Sequence, residues 1–283
     1  MVRARPRAGA GAAVALALLL AALLASPAAA ARGRAAGDRL GRLAGVWREA
    51  RGTAAVDRVA LSTAEEDLTA KQAGYDAVSG AVAARGPTRR LDPRDGVVGS
   101  SALFGLRSAA RDARDAAQLT VAARAADVFD ATARATRAED DLVSEVARRG
   151  HVDAARLRAA WDATPDRELD VVAFALAQAG KPYVFAAAGP DAYDCSGLTM
   201  AAWATQGVHL AHFAATQYAQ TQRVRPSDLR PGDLVFFEAD LGHVGLYLGA
   251  RLMVHAPHTG DVVRVASITG RDGMRTGRVG SPR

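Results

Sequence analysis

The feature that most limits what this chain can fold into is a change of character near Thr164. From about Gly37 to Trp161 the residues are mainly Ala, Arg, Asp and Leu, with little strand character. Beyond Thr164, short apolar runs follow one another, cut by Gly and Pro. Helices first and strands afterwards predict an α+β fold: an all-helical region over 31–163, then a mixed domain over 164–283.

In the first half, Thr53 to Ala84 and Ser101 to Arg149 are strong helix formers. Leu103, Leu106, Ala110, Ala113, Ala117, Val121 and Ala125 approximate one helical stripe, continued by Val128, Ala131, Leu142 and Val146. A Pro/Gly-bearing break from Gly86 to Gly96 separates the two runs, so the region reads as a helical hairpin or a small coiled-coil-like bundle. It carries no cluster of His, Cys and carboxylates. Its readings are a spacer, a docking element for a regulatory partner, a lid on a neighbouring site, or a solvated scaffold.

The start of the chain reads as an export signal over 1–30. Arg3, Arg5 and Arg7 precede the apolar run Ala12 to Leu24, and Pro27-Ala28-Ala29-Ala30 supplies small residues for cleavage. That run is short for a bilayer span, and nothing downstream of Arg32 is long and apolar enough to cross a membrane. The expected location is therefore outside the cytoplasm, with a retained N-terminal anchor as the alternative. The formal net charge of +6 includes those three arginines, so the mature chain carries +3. That small excess gives no nucleic-acid footprint. The arginines of the tail Arg271 to Arg283 read as a solvated, frayed terminus. One cysteine in an exported chain excludes an internal disulfide framework.

In the second half, Thr164-Pro165 reads as a helix start, and Leu169, Val172, Ala173 and Leu176 as its buried face, ended by Gly180 and Pro182. A second apolar helix follows Cys195 and stops at Gly207. Strands are expected at 233–237, 244–248, 252–255 and 262–265, forming an antiparallel meander.

Cys195 falls where loop becomes helix, in Tyr193-Asp194-Cys195-Ser196-Gly197-Leu198. Helix N-terminal N–H groups stabilise a thiolate and can serve an oxyanion. The bland reading is a small buried hydrophobe. His243 and His255 change the balance. They are twelve residues apart, and a tight turn at Gly249-Ala250 without a bulge is expected to place both rings on one sheet face. His243 would then be the base and His255 its orienter. A Cys-His-His metal site remains open on spacing alone. It lacks an obvious fourth ligand, since His209, His212 and His258 sit in loops without recurring spacing, and His151 and His209 read as surface residues.

Lys181-Pro182-Tyr183-Val184, Gly189 to Leu198, Leu229 to Phe237, Gly242 to Gly249 and Val254-His255-Ala256-Pro257 together resemble the NlpC-type cell-wall endopeptidases, in family order, over about Thr164 to Ile268. The resemblance implies a papain-like cysteine peptidase fold. It also implies thiol-protease hydrolysis of peptidoglycan stem peptides, typically between D-γ-glutamyl and a diamino acid, with no metal and no cofactor. It implies Cys195 as nucleophile, His243 as base and His255 as the third polar residue. Tyr183, Asp194 and Ser196 fall at positions that hold substrate or oxyanion. Two departures stand out: Phe185-Ala186-Ala187 where the family has Trp and two glycines, and Ala211-His212 where it has a proline-arginine pair. The rival functions are a degenerate wall-binding or scaffold protein and an acyl transferase on the same fold.

Overall fold

A computed structural model describes residues 27–84, 98–270 and 273–280. The export signal expected at 1–30 lies, up to residue 26, outside them, as does the whole Pro/Gly break expected at Gly86 to Gly96. The chain divides into two compact units, one of Met1–Arg48 with Ala138–Arg283, the other of Glu49–Arg137. Two long helices, α1 (Pro27–Ala84) and α2 (Val98–Gly150), run through both.

In the Glu49–Arg137 unit, the stripe on α2 turns inward at Ala110, Ala113, Ala117, Val121, Val128 and Ala131, whereas Leu106 and Ala125 are exposed. Arg107, not Leu106, turns toward α1, where its guanidinium and that of Arg111 hydrogen-bond the Tyr75 hydroxyl. The Ser79 hydroxyl first, and then the guanidinium N–H groups of Arg107 and Arg111, lower the pKa of Tyr75 to about 8.

The other unit holds the remaining elements: α3 (Ala154–Asp162), α4 (Asp166–Ala177), α5 (Cys195–Ala204), α6 (Ala214–Gln220), β1 (Gln222–Arg223), β2 (Leu234–Phe237), β3 (His243–Gly249), β4 (Leu252–His255), β5 (Arg264–Ser267) and β6 (Arg275–Arg278). The strands make one antiparallel sheet in the order β1-β6-β2-β3-β4-β5. The expected meander is the β2-β3-β4-β5 run of it. The last of these strands begins two residues later than the apolar run Val262 to Val265 suggests.

α5 is buried nearly all round, with Cys195 to Thr199, Ala202 and Trp203 all inside. α4 buries Leu169, Val172, Ala173 and Leu176, as its spacing predicts, and Val171 and Ala175 as well, because it is covered on two sides. Each fully buried Leu or Val contributes about 2 kcal/mol of apolar transfer. The start of α4 differs from expectation. Thr164 does not cap it: its hydroxyl donates back to Ala160 O at the end of α3, and Pro165 stands at the cap position without a side-chain hydrogen bond.

The frayed tail is also corrected. Arg275–Arg278 is a strand lying between β1 and β2. Arg278 forks onto the buried Asp233 carboxylate, Nε at 3.0 Å and Nη2 at 2.8 Å. That pair satisfies a charge at the start of β2, which is why an arginine-rich end is part of the sheet.

The bases of α1 and α2 belong to the same core as the sheet. Leu40, Ala44, Trp47, Leu142, Val143 and Val146 are buried there with Leu157 and Trp161. Trp47 stacks on Trp161 with ring centroids 5.0 Å apart. Trp161 Nε1 donates to Leu248 O at 2.7 Å, and a Cβ on Gly150 would overlap the side chain of Leu252. The helical bases therefore meet the turn between β3 and β4, the end of those strands away from both histidines.

Candidate active site

Cys195 is the first residue of α5. Asp194, extended at φ −94° and ψ −179°, caps that helix through its carboxylate, which accepts from Gly197 N at 2.6 Å. Cys195 is 9 % exposed, and its thiol lies 4.0 Å from Gly242 O. The backbone N–H groups of Val244, Ser196 and Cys195 also point at it. Sγ thus sits against the chain on both sides of His243. Burial pushes the thiol above its ordinary range and the neighbouring Asp194 charge adds to this, while those backbone N–H groups oppose it. The helix terminus stabilises a thiolate, as the sequence suggests, but burial outweighs it.

His243 opens β3 and His255 closes β4, and both are buried. His243 Nε2 lies 2.8 Å from His255 Nδ1, with the rings edge to face at 78°. The geometry that brings them together is not the one expected. The turn is Ala250-Arg251, both at positive φ (48° and 63°), between Gly249 and its partner Leu252. A two-residue turn without a bulge, here or at Gly249-Ala250, would set the two histidines on opposite faces, so the expected parity does not hold. The pairing shifts between Tyr247 and Gly249, leaving Leu248 as an extra residue on β3, and Leu246 then faces Val254. This bulge restores the parity that places both rings together.

The remaining expected residues gather at the same place. Tyr183 is half-buried; burial raises its hydroxyl's pKa, and the charges of Cys195 and Asp194 raise it further, so it lies near both. Asp194 and Ser196 are buried, and the Ser196 hydroxyl donates to Asp194 Oδ1 at 3.1 Å. Ala186 N donates to Asp194 Oδ2 at 2.8 Å.

Sequence reasoning missed His212. Its Nε2 lies 3.0 Å from each oxygen of Asp194. The signal was present, since His212 occupies one of the two departures noted above, but a solitary loop histidine has no spacing to recommend it. Gln217, fully buried, was missed too. It accepts from Thr199 Oγ1 at 2.7 Å and donates to Ser196 O and Ala211 O at 2.8 Å, tying the approach to α6 onto α5. His151, His209 and His258 lie apart from this group; His258 Nδ1 faces Thr259 O at 3.0 Å. Among the described residues, no group of three or more His, Cys, Asp or Glu side chains is arranged to hold a metal ion. Among them, too, no helix is long and apolar enough to cross a membrane.

Residues 180–275 match the model of the NlpC/P60 family. A probable endopeptidase of Mycobacterium tuberculosis is 44% identical over 95 residues, which cover 34% of this chain and 25% of the relative. A probable endopeptidase p60 of Listeria grayi is 42% identical over 83 residues, 29% of this chain and 16% of the relative. The chain thus spans at most a quarter of the length of these curated relatives. Among solved structures, the peptidoglycan hydrolase RipB of Mycobacterium tuberculosis aligns at 30% identity over 46% of this chain and 69% of that one, with a TM-score of 0.37. RipD of the same organism, described as a non-catalytic NlpC/p60 domain protein, aligns at 32% identity over 41% of this chain and 99% of that one, also at 0.37.

Proposed function

The chain belongs to the NlpC/P60 family through residues 180–275, and on that premise we propose that it is an exported cysteine endopeptidase hydrolysing peptidoglycan stem peptides. The observation that carries this reading is the lodging of the Cys195 thiol between Gly242 O and Val244 N–H, on either side of a histidine whose Nε2 is held by a second histidine. A pure binder has no use for that arrangement.

Because burial keeps the thiol protonated, attack requires a base in place. His255, holding Nε2 of His243, directs the other ring nitrogen, Nδ1, to the thiol. Sγ adds to the scissile carbonyl as its proton passes to His243. The N–H groups at the start of α5 stabilise the oxyanion, and His243 then gives its proton to the leaving amine as the C–N bond breaks. Water, deprotonated by His243, attacks the resulting thioester. The products are a carboxylate and the restored thiol. The bond expected from the resemblance is that between D-γ-glutamyl and a diamino acid. No step needs a metal or an organic cofactor.

Digestion of purified sacculi with wild type and Cys195→Ala, followed by mass analysis of the fragments, tests the proposal. New amine and carboxylate termini at one stem-peptide bond, absent with Cys195→Ala, are the expected result. Fragments released equally by both proteins would refute it, and a product carrying an added amine in place of water would identify an acyl transferase.

A further inference from the structure

Asp194 does more than cap α5. Its buried carboxylate takes Gly197 N and Ser196 Oγ on the helix, Ala186 N on the turn Val184–Ala187, and His212 Nε2 on the segment leading to α6. A carboxylate only accepts, so Nε2 of His212 carries the proton, and it faces both oxygens at 3.0 Å. His212 therefore sets the rotation of the carboxylate and keeps Oδ2 aimed at Ala186. Ala186 needs that hold: it is a non-glycine residue at φ 61°, a conformation that persists only where its surroundings impose it.

The two segments joined in this way have a common property. Among the described residues of 151–280, the exposed large apolar side chains are Val184, Phe185 (80 %) and Phe213 (62 %). Phe185 precedes Ala186 and Phe213 follows His212. Tyr183, which heads the first segment, lies near Cys195. Phe185 and Phe213 thus adjoin the two residues bonded to Asp194, the neighbour of the nucleophile, and exposed apolar side chains so placed indicate contact with what the nucleophile acts on.

We propose that His212 is a positioning residue for substrate binding, acting through Asp194 to fix these two segments so that Phe185 and Phe213 grip the stem peptide on either side of α5. The proposal rests on the reading of the substrate as a wall peptide. The nucleophile's own seat does not depend on it, because Gly197 N and Ser196 Oγ still engage Asp194 when His212 is removed, and Ala211 stays tied by Gln217 and Gln220.

The test uses the full chain and a synthetic stem tripeptide of L-alanine, D-γ-glutamate and a diamino acid, with affinity measured calorimetrically in a Cys195→Ala background so that no turnover occurs. His212→Ala should weaken binding about tenfold, the usual consequence of losing a hydrogen bond to a charged buried partner. Phe185→Ala and Phe213→Ala should each weaken it several-fold, and adding His212→Ala to Phe185→Ala should cost less than the separate losses together. His212→Arg should restore affinity to within about twofold, because a guanidinium fork also faces two carboxylate oxygens. With Cys195 intact, iodoacetamide should alkylate His212→Ala at the wild-type rate, since so small a reagent does not use the clamp. Unchanged affinity in His212→Ala, no rescue by arginine, or absence of tripeptide binding altogether would overturn the proposal. Unfolding of His212→Ala or loss of its alkylation would also overturn it, by placing His212 in the seat of the nucleophile. A wild type that releases nothing from sacculi, alongside the expected affinity series, would refute hydrolysis and leave the clamp standing.

Discussion

His243 Nε2 and His255 Nδ1 are 2.8 Å apart because Leu248 is supernumerary on its strand. The two-residue turn at Ala250-Arg251 and the one-residue bulge act together. The two-residue turn without the bulge would turn one imidazole out of the site. The contact fixes the orientation of the His243 ring, and the chemistry proposed for the site depends on it.

Cys195→Ala and His243→Ala should each remove nearly all release of fragments from sacculi, a loss of several orders of magnitude in rate, with the thermal midpoint little changed. His255→Ala should be severe but milder, because His255 orients its neighbour and does not react. Turnover is to be compared with thermal unfolding for all three; normal rates in Cys195→Ala would end the cysteine mechanism.

The turn itself offers a stability test. Ala250 and Arg251 both adopt positive φ, a geometry that Asn-Gly adopts with less strain. Replacing the pair by Asn-Gly should stabilise the protein by about 1 kcal/mol, read from denaturant unfolding, with fragment release unchanged. A loss of activity would mean that the turn residues touch the site, which their position at the far end of β3 argues against.

Gly197 sits under a tighter constraint. A Cβ there would overlap the Ala187 carbonyl oxygen and come 2.9 Å from His212 Nε2. Gly197→Ala must therefore push the Val184–Ala187 turn or His212 away from Asp194. It should cost about 1 to 3 kcal/mol of stability and most of the turnover, whereas Gly207→Ala, which meets no atom within 4 Å but sits at φ 71°, should cost stability without touching turnover.

Burial sets the expected pH dependence of Cys195. Its folded pKa lies above that of a free thiol. Alkylation of a His243→Ala protein, in which the thiol titrates without its base, should rise with pH through a midpoint above about 8.5. The same shift is linked to stability. A group with a raised folded pKa contributes stability that is fully present below the unfolded value and is lost as pH rises through the folded one. As pH rises above the free-thiol value of about 8.5, wild type should lose more stability than Cys195→Ser. Alkylation that saturates below the free-thiol range would contradict the burial argument.

The core of the second half was legible because its signals are local. The apolar face of α4, the helix start at Cys195 and the strands β2 to β4 are written in residue spacing and in Gly and Pro punctuation. Arg278 shows where that kind of signal ends. β6 carries arginines and a glycine in place of an apolar run, and its reason for lying in the sheet is a partner 45 residues away, Asp233. His212 is similar: it matters through a carboxylate 18 residues earlier. The bulge at Leu248 was invisible for another reason. Any two-residue turn between these strands needs one extra residue to bring His243 and His255 to one face, and no local spacing marks where that residue falls.

The helical region gives the last prediction. A lid over Cys195 would make a chain beginning near Asp162 faster and its thiol more reactive. The bases of α1 and α2 instead cover the end of β3 at Leu248 and Gly249, about 20 Å along the strand from His243, and they bury Trp47 against Trp161. Removing everything before Asp162 deletes Leu40, Trp47, Leu142, Val146, Leu157 and Trp161 from one core cluster. That chain should be poorly soluble, unfold at lower temperature and turn over less. Trp47→Ala in the full chain isolates the effect: it should cost about 3 to 5 kcal/mol in unfolding free energy and leave turnover per folded molecule unchanged, because the site lies at the other end of the strands. Thermal unfolding and stem-peptide turnover measured on both proteins decide the matter. Faster turnover or faster alkylation of Cys195 after truncation would restore the lid.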